Sequence, residues 1–151
     1  SDLFSRIVVS TEDAEIAAVA AGYGAETLER PLELAEIRTP DCGTQEVTRH
    51  ALLALGITEG YAGCIYPCAP TMLVQDLVEA YRIIKQHRYN YAYMPGWFYF
   101  GEVKTFIERP ELRNSIWMSG GCYRWVDINH EGDWRHAEQL YAKMRGIKCA
   151  S

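Results

Sequence analysis

The chain has no excess of positive charge. Its 151 residues carry 15 Lys and Arg against 20 Asp and Glu, a formal net charge of −5. Neutralising nucleic-acid phosphates needs a basic face, so a nucleic-acid partner is disfavoured. The tightest basic cluster, Lys85 to Arg88, ends an expected helix, where cations complement the dipole. Long apolar runs are lacking too. Segments such as Ile16 to Ala21 fall far short of the roughly 20 residues that cross a bilayer, so no membrane partner is expected. No basic-then-apolar leader is visible, which points to a cytoplasmic location. Paired C-x-x-C spacing is absent among the five cysteines (42, 64, 68, 122 and 149), and Cys64 and Cys68 straddle Pro67. Reduced thiols are the expectation, with a structural metal or a disulfide as the alternative. No repeat, low-complexity tract or linker interrupts residues 1–151, so one domain is expected. With 48% apolar and 23% charged residues, the composition is that of an ordinary globular protein.

What is present alternates between strand and helix patterns. Ile7 to Val9 is a short β-branched run, apolar on both faces, as in a strand buried inside a parallel sheet. Ser10 or Thr11 then caps a helix with Glu12 and Asp13 in its first turn. Ile16, Val19 and Ala20 form its expected inner face, and Gly22 and Gly24 end it. Glu26 to Leu28 reads as a short strand, and Glu36 to Gly43 as a loop. A helix from Thr44 presents Val47, Ala51, Leu52 and Leu55 before Gly56. Gly63 to Tyr66 reads as a central strand, and Val74 to Gln86 as a helix striped by Leu77, Ala80, Tyr81 and Ile84. This alternation predicts a parallel sheet with right-handed crossovers.

The second half is richer in aromatics. Tyr89 to Phe100, broken by Pro95-Gly96, fits two short strands around a turn. Val103 to Ile107 fits a short helix, and Ser115 to Met118 and Tyr123 to Val126 fit strands. Glu131 to Met144 closes the chain as a helix. The aromatic cluster around Tyr89 to Phe100, with Trp117 and Trp125, reads as core and interface.

The segment Cys64-Ile65-Tyr66-Pro67-Cys68-Ala69-Pro70 is the most suggestive one. A strand stops there in a proline-stiffened loop, and a helix follows. That is the crest where an open α/β sheet places a ligand.

Several segments in order resemble one enzyme family. They are Asp2 to Asp13, Tyr23 to Glu26, Arg30-Pro31, Thr44, His50-Ala51, Tyr66-Pro67-Cys68-Ala69-Pro70, Gly96 to Gly101, Tyr123 to Ile128 and Asp133 to Glu138. Together they resemble the cytidylyltransferases that activate acidic nine-carbon sugars, namely CMP-sialic acid synthetases and pseudaminic acid cytidylyltransferases. The resemblance implies a three-layer α/β sandwich with a mostly parallel Rossmann-like sheet of the nucleotide-diphospho-sugar transferase type, here reduced. Two family features have no counterpart: a glycine-rich basic loop before the first segment, and an insertion after the strand that follows the Leu77 helix. The resemblance therefore implies a truncated member without catalytic activity of its own.

Site residues follow from the same resemblance. Tyr66, Pro67, Cys68, Ala69 and Pro70 match the loop that packs along the cytosine ring, with Cys68 at a threonine position. Arg30 and Thr44 match positions near the nucleotide; a salt bridge from Arg30 to a neighbour such as Glu33 is the competing expectation. Asp127 matches the first of two aspartates that hold magnesium, and the second position is Asn129. One carboxylate and no phosphate cradle leave little to hold that ion, so Asp127 also reads as a strand-end residue. His50, His130 and His136 read as structural, and no catalytic triad can be assembled. The implied ligands are CTP or CMP and an acidic sugar. Two other functions stand beside this one: a homo-oligomeric assembly or partner-binding protein, and CMP-sugar synthesis with the missing parts supplied in trans.

Overall fold

A computed structural model describes residues 3–36, 43–108, 114–119 and 124–146. Its contacts divide the chain into two units, Ser1–Gly60 with Val103–Arg109, and Tyr61–Glu102 with Pro110–Ser151.

The first unit opens with a β-α-β element. Strand β1 (Val8–Thr11) and strand β2 (Glu26–Glu29) pair in parallel, Val8 opposite Glu26 and Thr11 opposite Glu29, with helix α1 (Ala14–Gly22) between them. The cap of α1 is Asp13, not Ser10 or Thr11. Its Oδ1 accepts from the Glu15 and Ile16 amides at 2.7 and 3.0 Å. β1 runs on through Thr11, whose buried hydroxyl accepts from the Asp13 amide instead. The expected inner face of α1 is corrected in part, since only Ala20 of its three residues keeps its place. Ile16 and Val19 are 52% and 61% exposed, and the less exposed positions are Ala17 and Ala20. Small side chains let a helix lie close to a two-stranded ribbon, and the branched ones rotate outward. Ile7, expected inside a buried strand, precedes β1 and is exposed. Helices α2 (Leu32–Ala35), α3 (Gly43–Ala54) and α5 (Val103–Glu108) complete the unit. Arg49 of α3 donates to the Ile107 carbonyl of α5 at 3.1 Å. Most of the expected 36–43 loop lies outside the described residues.

The second unit holds a four-stranded sheet of order β3-β5-β4-β6. The strands are β3 (Tyr61–Ile65), β4 (Tyr91–Met94), β5 (Phe98–Glu102) and β6 (Ile116–Trp117). β5 is antiparallel to both its neighbours, whereas β4 and β6 run parallel. The sheet is therefore mixed, where a mostly parallel one was expected. The reason is local: Pro95-Gly96 turns β4 straight back as β5, which inserts beside β3. β3 consequently stands at one end of the strand order rather than in the centre.

Helix α4 (Val74–Gln86) covers one sheet face. The antiparallel register places Ala92, Met94, Phe98 and Phe100 together, all buried, and Leu77, Ala80 and Ile84 of α4 are buried with them. Each such Phe contributes roughly 2–3 kcal/mol through burial. Tyr91, Tyr93 and Tyr99 occupy the opposite face. Tyr93 and Tyr99 stack at 5.5 Å, and Tyr91 is fully buried over Gly101. Helix α6 (Glu131–Met144) closes the unit. The strand expected over Tyr123 to Val126 is not found at Arg124 to Val126, where Arg124 lies in a 3₁₀ turn and the residues after it are irregular; Tyr123 lies outside the described residues. Their hydrogen bonds go to the loops around them, as described next. No described helix is long and apolar enough to cross a membrane.

Candidate functional site

The site grows from the end of β3. The Tyr66 amide donates to the Trp97 carbonyl at 2.8 Å, which extends the β3–β5 ladder by one residue. Pro67 then has no amide to offer and the ladder stops. Two successive turns follow, with the Ala69 amide on the Tyr66 carbonyl and the Met72 amide on the Ala69 carbonyl. They deliver the chain to α4.

Opposite this crest stands the β4–β5 turn. The Trp97 amide returns to the Met94 carbonyl at 3.0 Å, and Gly96 has φ +72°. Proline followed by a positive-φ glycine is the type II pattern. The outward Pro95 carbonyl accepts from the Trp125 indole at 3.1 Å.

Residues 124–128 thread between crest and turn. The Ile128 amide donates to the Cys68 carbonyl at 3.1 Å, and the Trp97 indole donates to the Val126 carbonyl at 2.9 Å. The Cys68 thiol points at the Gly96 carbonyl, 3.6 Å away. Asp127 fills the space a side chain at Gly96 would need: an added Cβ would sit 2.7 Å from its Oδ2. Burial, then the neighbouring Asp127 carboxylate, push the Cys68 thiol up to about 11. A thiol kept neutral at pH 7 is a poor nucleophile. The cluster instead offers hydrogen-bond acceptors (the Asp127 carboxylate and the Gly96 carbonyl) beside a weak thiol donor. That suits a ligand bearing amino or hydroxyl groups.

The structure thus brings Tyr66, Pro67, Cys68, Ala69 and Pro70 together with Asp127. Ala69 is buried and Pro67 and Pro70 are exposed. Arg30 and Thr44 belong to the other unit, Arg30 just after β2 and Thr44 in the first turn of α3. The Arg30 guanidinium is bound to Glu12, not to Glu33, with its Nε 2.8 Å from Glu12 Oε2. The pairing follows from register, because the Arg30 amide also bonds to the Thr11 carbonyl at 3.1 Å. The Arg30 charge helps hold the Glu12 carboxyl below its usual range, after the hydrogen bond from Glu12's own backbone.

At the second position of the implied aspartate pair, the Asn129 side-chain amide donates to the Asp127 carbonyl at 3.3 Å, and its backbone amide donates to Asp133. Asp133 also accepts from the His130 amide at 2.8 Å, and these two backbone bonds hold its carboxyl below the usual range. Among the described residues no group of three or more His, Cys, Asp or Glu side chains could hold a metal. With Asn129 at the second position, Asp127 is the single carboxylate of the pair that the resemblance implies. Cys64 and Cys68 carry thiols rather than a disulfide, and Cys42, Cys122 and Cys149 lie outside the described residues.

A separate cleft of about 250 Å³ lies in the first unit, at the carboxyl ends of β1 and β2. Glu12, Asp13 and Glu29 line it. Parallel strand ends are the usual ligand position in α/β sheets, yet three carboxyl groups would repel a phosphate.

Behind the crest stands a cluster that sequence reasoning missed. Arg124 is 5% exposed and Asp76 8%, and Arg124 Nη2 lies 2.9 Å from Asp76 Oδ1. Arg124 Nη1 donates to the Thr71 carbonyl at 2.8 Å, and the Thr71 hydroxyl returns to the Arg124 carbonyl at 2.8 Å. The guanidinium sits 5.6 Å from the buried Trp97 ring. Asp76 in the first turn of a helix reads as an ordinary dipole partner. Nothing in one sequence ties it to an arginine 48 positions away.

No known family model matches the chain, and no curated protein matches it at a significant level.

Proposed function

We propose that this chain is a cytidylyltransferase-like domain, a reduced form of the three-layer Rossmann-like fold, that binds a cytidine nucleotide without transferring it. In this reading the Tyr66–Pro70 crest is the wall against which the base packs. The reading is carried by one observation: the crest and Asp127, assigned by resemblance to the base wall and the metal end of one site, are in contact through Cys68, Gly96 and Ile128. Transfer is not part of the proposal, because Asn129 replaces the second aspartate. Losing one group that stabilises transition-state charge typically costs roughly 3 kcal/mol of barrier or more.

Thermal unfolding with CMP, CTP and AMP tests the reading. CMP and CTP should raise the Tm of the wild type and AMP should not. The shift should vanish in Asp127→Ala. Equal shifts with AMP, or none with any nucleotide, would sink it. Pyrophosphate release from CTP with an acidic nine-carbon sugar and magnesium would overturn the non-catalytic part alone.

A self-associating role is the second reading. Trp117 and Trp134, 67% and 53% exposed on the second unit, are large apolar side chains open to a partner. Light scattering that returns a strict monomer would refute it.

A further inference from the structure

We propose that the buried Asp76–Arg124 pair is a positioning device that sets the register of residues 124–128, and with it the placement of Asp127 against the crest. This rests on the reading of the crest as a ligand wall and adds the residues that hold its acidic side in place.

Trp125-Val126-Asp127-Ile128 has an aliphatic β-branched residue on each side of Asp127. Val126 fills a buried position, and Ile128 could occupy it with similar apolar contact after a slip of two residues. A slip of one would bring Val126 or Ile128 to Gly96 in place of the carboxylate. Hydrophobic burial has no direction, so it distinguishes these registers weakly. Backbone hydrogen bonds to Cys68 and Trp97 do not separate them either, because every residue of the segment offers the same carbonyl and amide.

Two side-chain anchors separate them: the exposed Trp125 indole on the Pro95 carbonyl at 3.1 Å and, buried within the fold, Arg124. Its fork meets two fixed acceptors, the Thr71 carbonyl at 2.8 Å and Asp76 at 2.9 and 3.3 Å. Asp76 is itself immobilised, since its Oδ2 accepts from the Leu73 amide at 2.8 Å at the entry to α4. The Thr71 hydroxyl closes the loop onto the Arg124 carbonyl at 2.8 Å. Main chain and side chain of residue 124 are thus both bound to the stretch from Thr71 to the first turn of α4. A slipped register would pull the guanidinium from these partners while it remained buried, leaving an uncompensated charge. Asp127 lies three residues on, within about 10 Å of chain, too short a tether to absorb a shift.

The Asp76–Arg124 pair thus provides register rather than stability. A buried ion pair replaced on both sides by apolar residues of similar volume is often neutral or stabilising, whereas one used for register loses specificity on the same replacement. The test is the paired variant Asp76→Leu/Arg124→Met, compared with wild type by amide hydrogen exchange without ligand. The informative probes are the Ile128 amide, bonded to Cys68, and the amides of Ile84 and Phe100 in the core of the unit. Exchange at Ile128 faster by about 10-fold or more, with Ile84 and Phe100 unchanged, is the expected result. An unchanged Ile128, or acceleration at all three sites together, would overturn the proposal, since the pair would then be an ordinary core element. If the paired variant does not fold, Arg124→Lys is judged by the same comparison. Lysine keeps the charge beside Asp76 and loses the fork to Thr71, so Ile128 should again exchange faster than the two core amides. CMP binding is measured in parallel. A wild type that ignores CMP removes the nucleotide reading and leaves the exchange result to decide the positioning role.

Discussion

Replacing Gly96 by alanine tests the candidate site at its tightest contact. Two costs arise. At φ +72° an L side chain sits in the left-handed region, at roughly 1–2 kcal/mol. The new Cβ would also stand 2.7 Å from Asp127 Oδ2, 2.9 Å from its Cγ and 3.2 Å from its Cβ. Three atoms of one short side chain cannot all swing clear, because the Ile128 amide holds the next residue to Cys68. Overpacking of this kind costs roughly 1–3 kcal/mol, so Gly96→Ala should lose about 2–5 kcal/mol in all. The contact is isolated by repeating the change in an Asp127→Ala background. There the carboxylate is gone and only the conformational cost of about 1–2 kcal/mol remains, with a slight contact to the residual Cβ. Urea unfolding of the four proteins, followed by circular dichroism and tryptophan fluorescence, gives the coupling energy directly. A coupling of about 1 kcal/mol or more is expected. Equal costs of Gly96→Ala in both backgrounds would refute the placement of Asp127 against the turn.

Three further expectations concern pH. With Cys68 raised from 9.0 to about 11, its thiolate population at pH 8 is about 100-fold below that of an unperturbed thiol. Iodoacetamide labelling mapped by mass spectrometry should find Cys68 correspondingly slow, and labelling at the ordinary rate would contradict the burial beside Asp127. Because this folded pKa is raised, as is that of Tyr91 (from 10.0 to about 12, through burial), the unfolded chain ionises first. Stability should be full below about pH 9 and fall progressively toward pH 12. Asp133 works in the opposite direction, its folded pKa lying below the ordinary 3.8. Its contribution is present above that value and lost as pH falls through the lowered one. Asp133→Ala should therefore melt earlier than wild type at pH 7, with the difference shrinking in strong acid. A difference independent of pH would rule out the carboxylate as the acceptor that holds the Asn129 and His130 amides at the start of α6.

Elements whose signals lie within a few adjacent residues were legible in the sequence. The bounds of α4 and α6 follow from apolar spacing, and Pro95-Gly96 marks the turn between β4 and β5. Errors arose where a neighbour in space outcompetes a neighbour in sequence. Thr11 is as good a helix cap as many, yet strand pairing with Glu29 draws it into β1 and leaves the cap to Asp13. Arg30 has Glu33 close by in sequence, but parallel pairing of β1 and β2 brings Glu12 to it. A single sequence contains no sign of either pairing.

The candidate site divides in the same way. The Tyr66–Pro70 crest follows from sequence alone, because a proline has no amide with which to continue the strand's ladder. The candidacy of Asp127 rests on sequence resemblance. Their meeting is a matter of tertiary structure. It depends on β5 inserting beside β3, on a positive-φ glycine that leaves room for a carboxylate, and on the buried Asp76–Arg124 pair. Local sequence fixes backbone conformation through short-range sterics and hydrogen bonding. Contacts between residues 68, 96 and 127 exist only after the chain has folded, when burial makes the geometry of a few polar groups decisive.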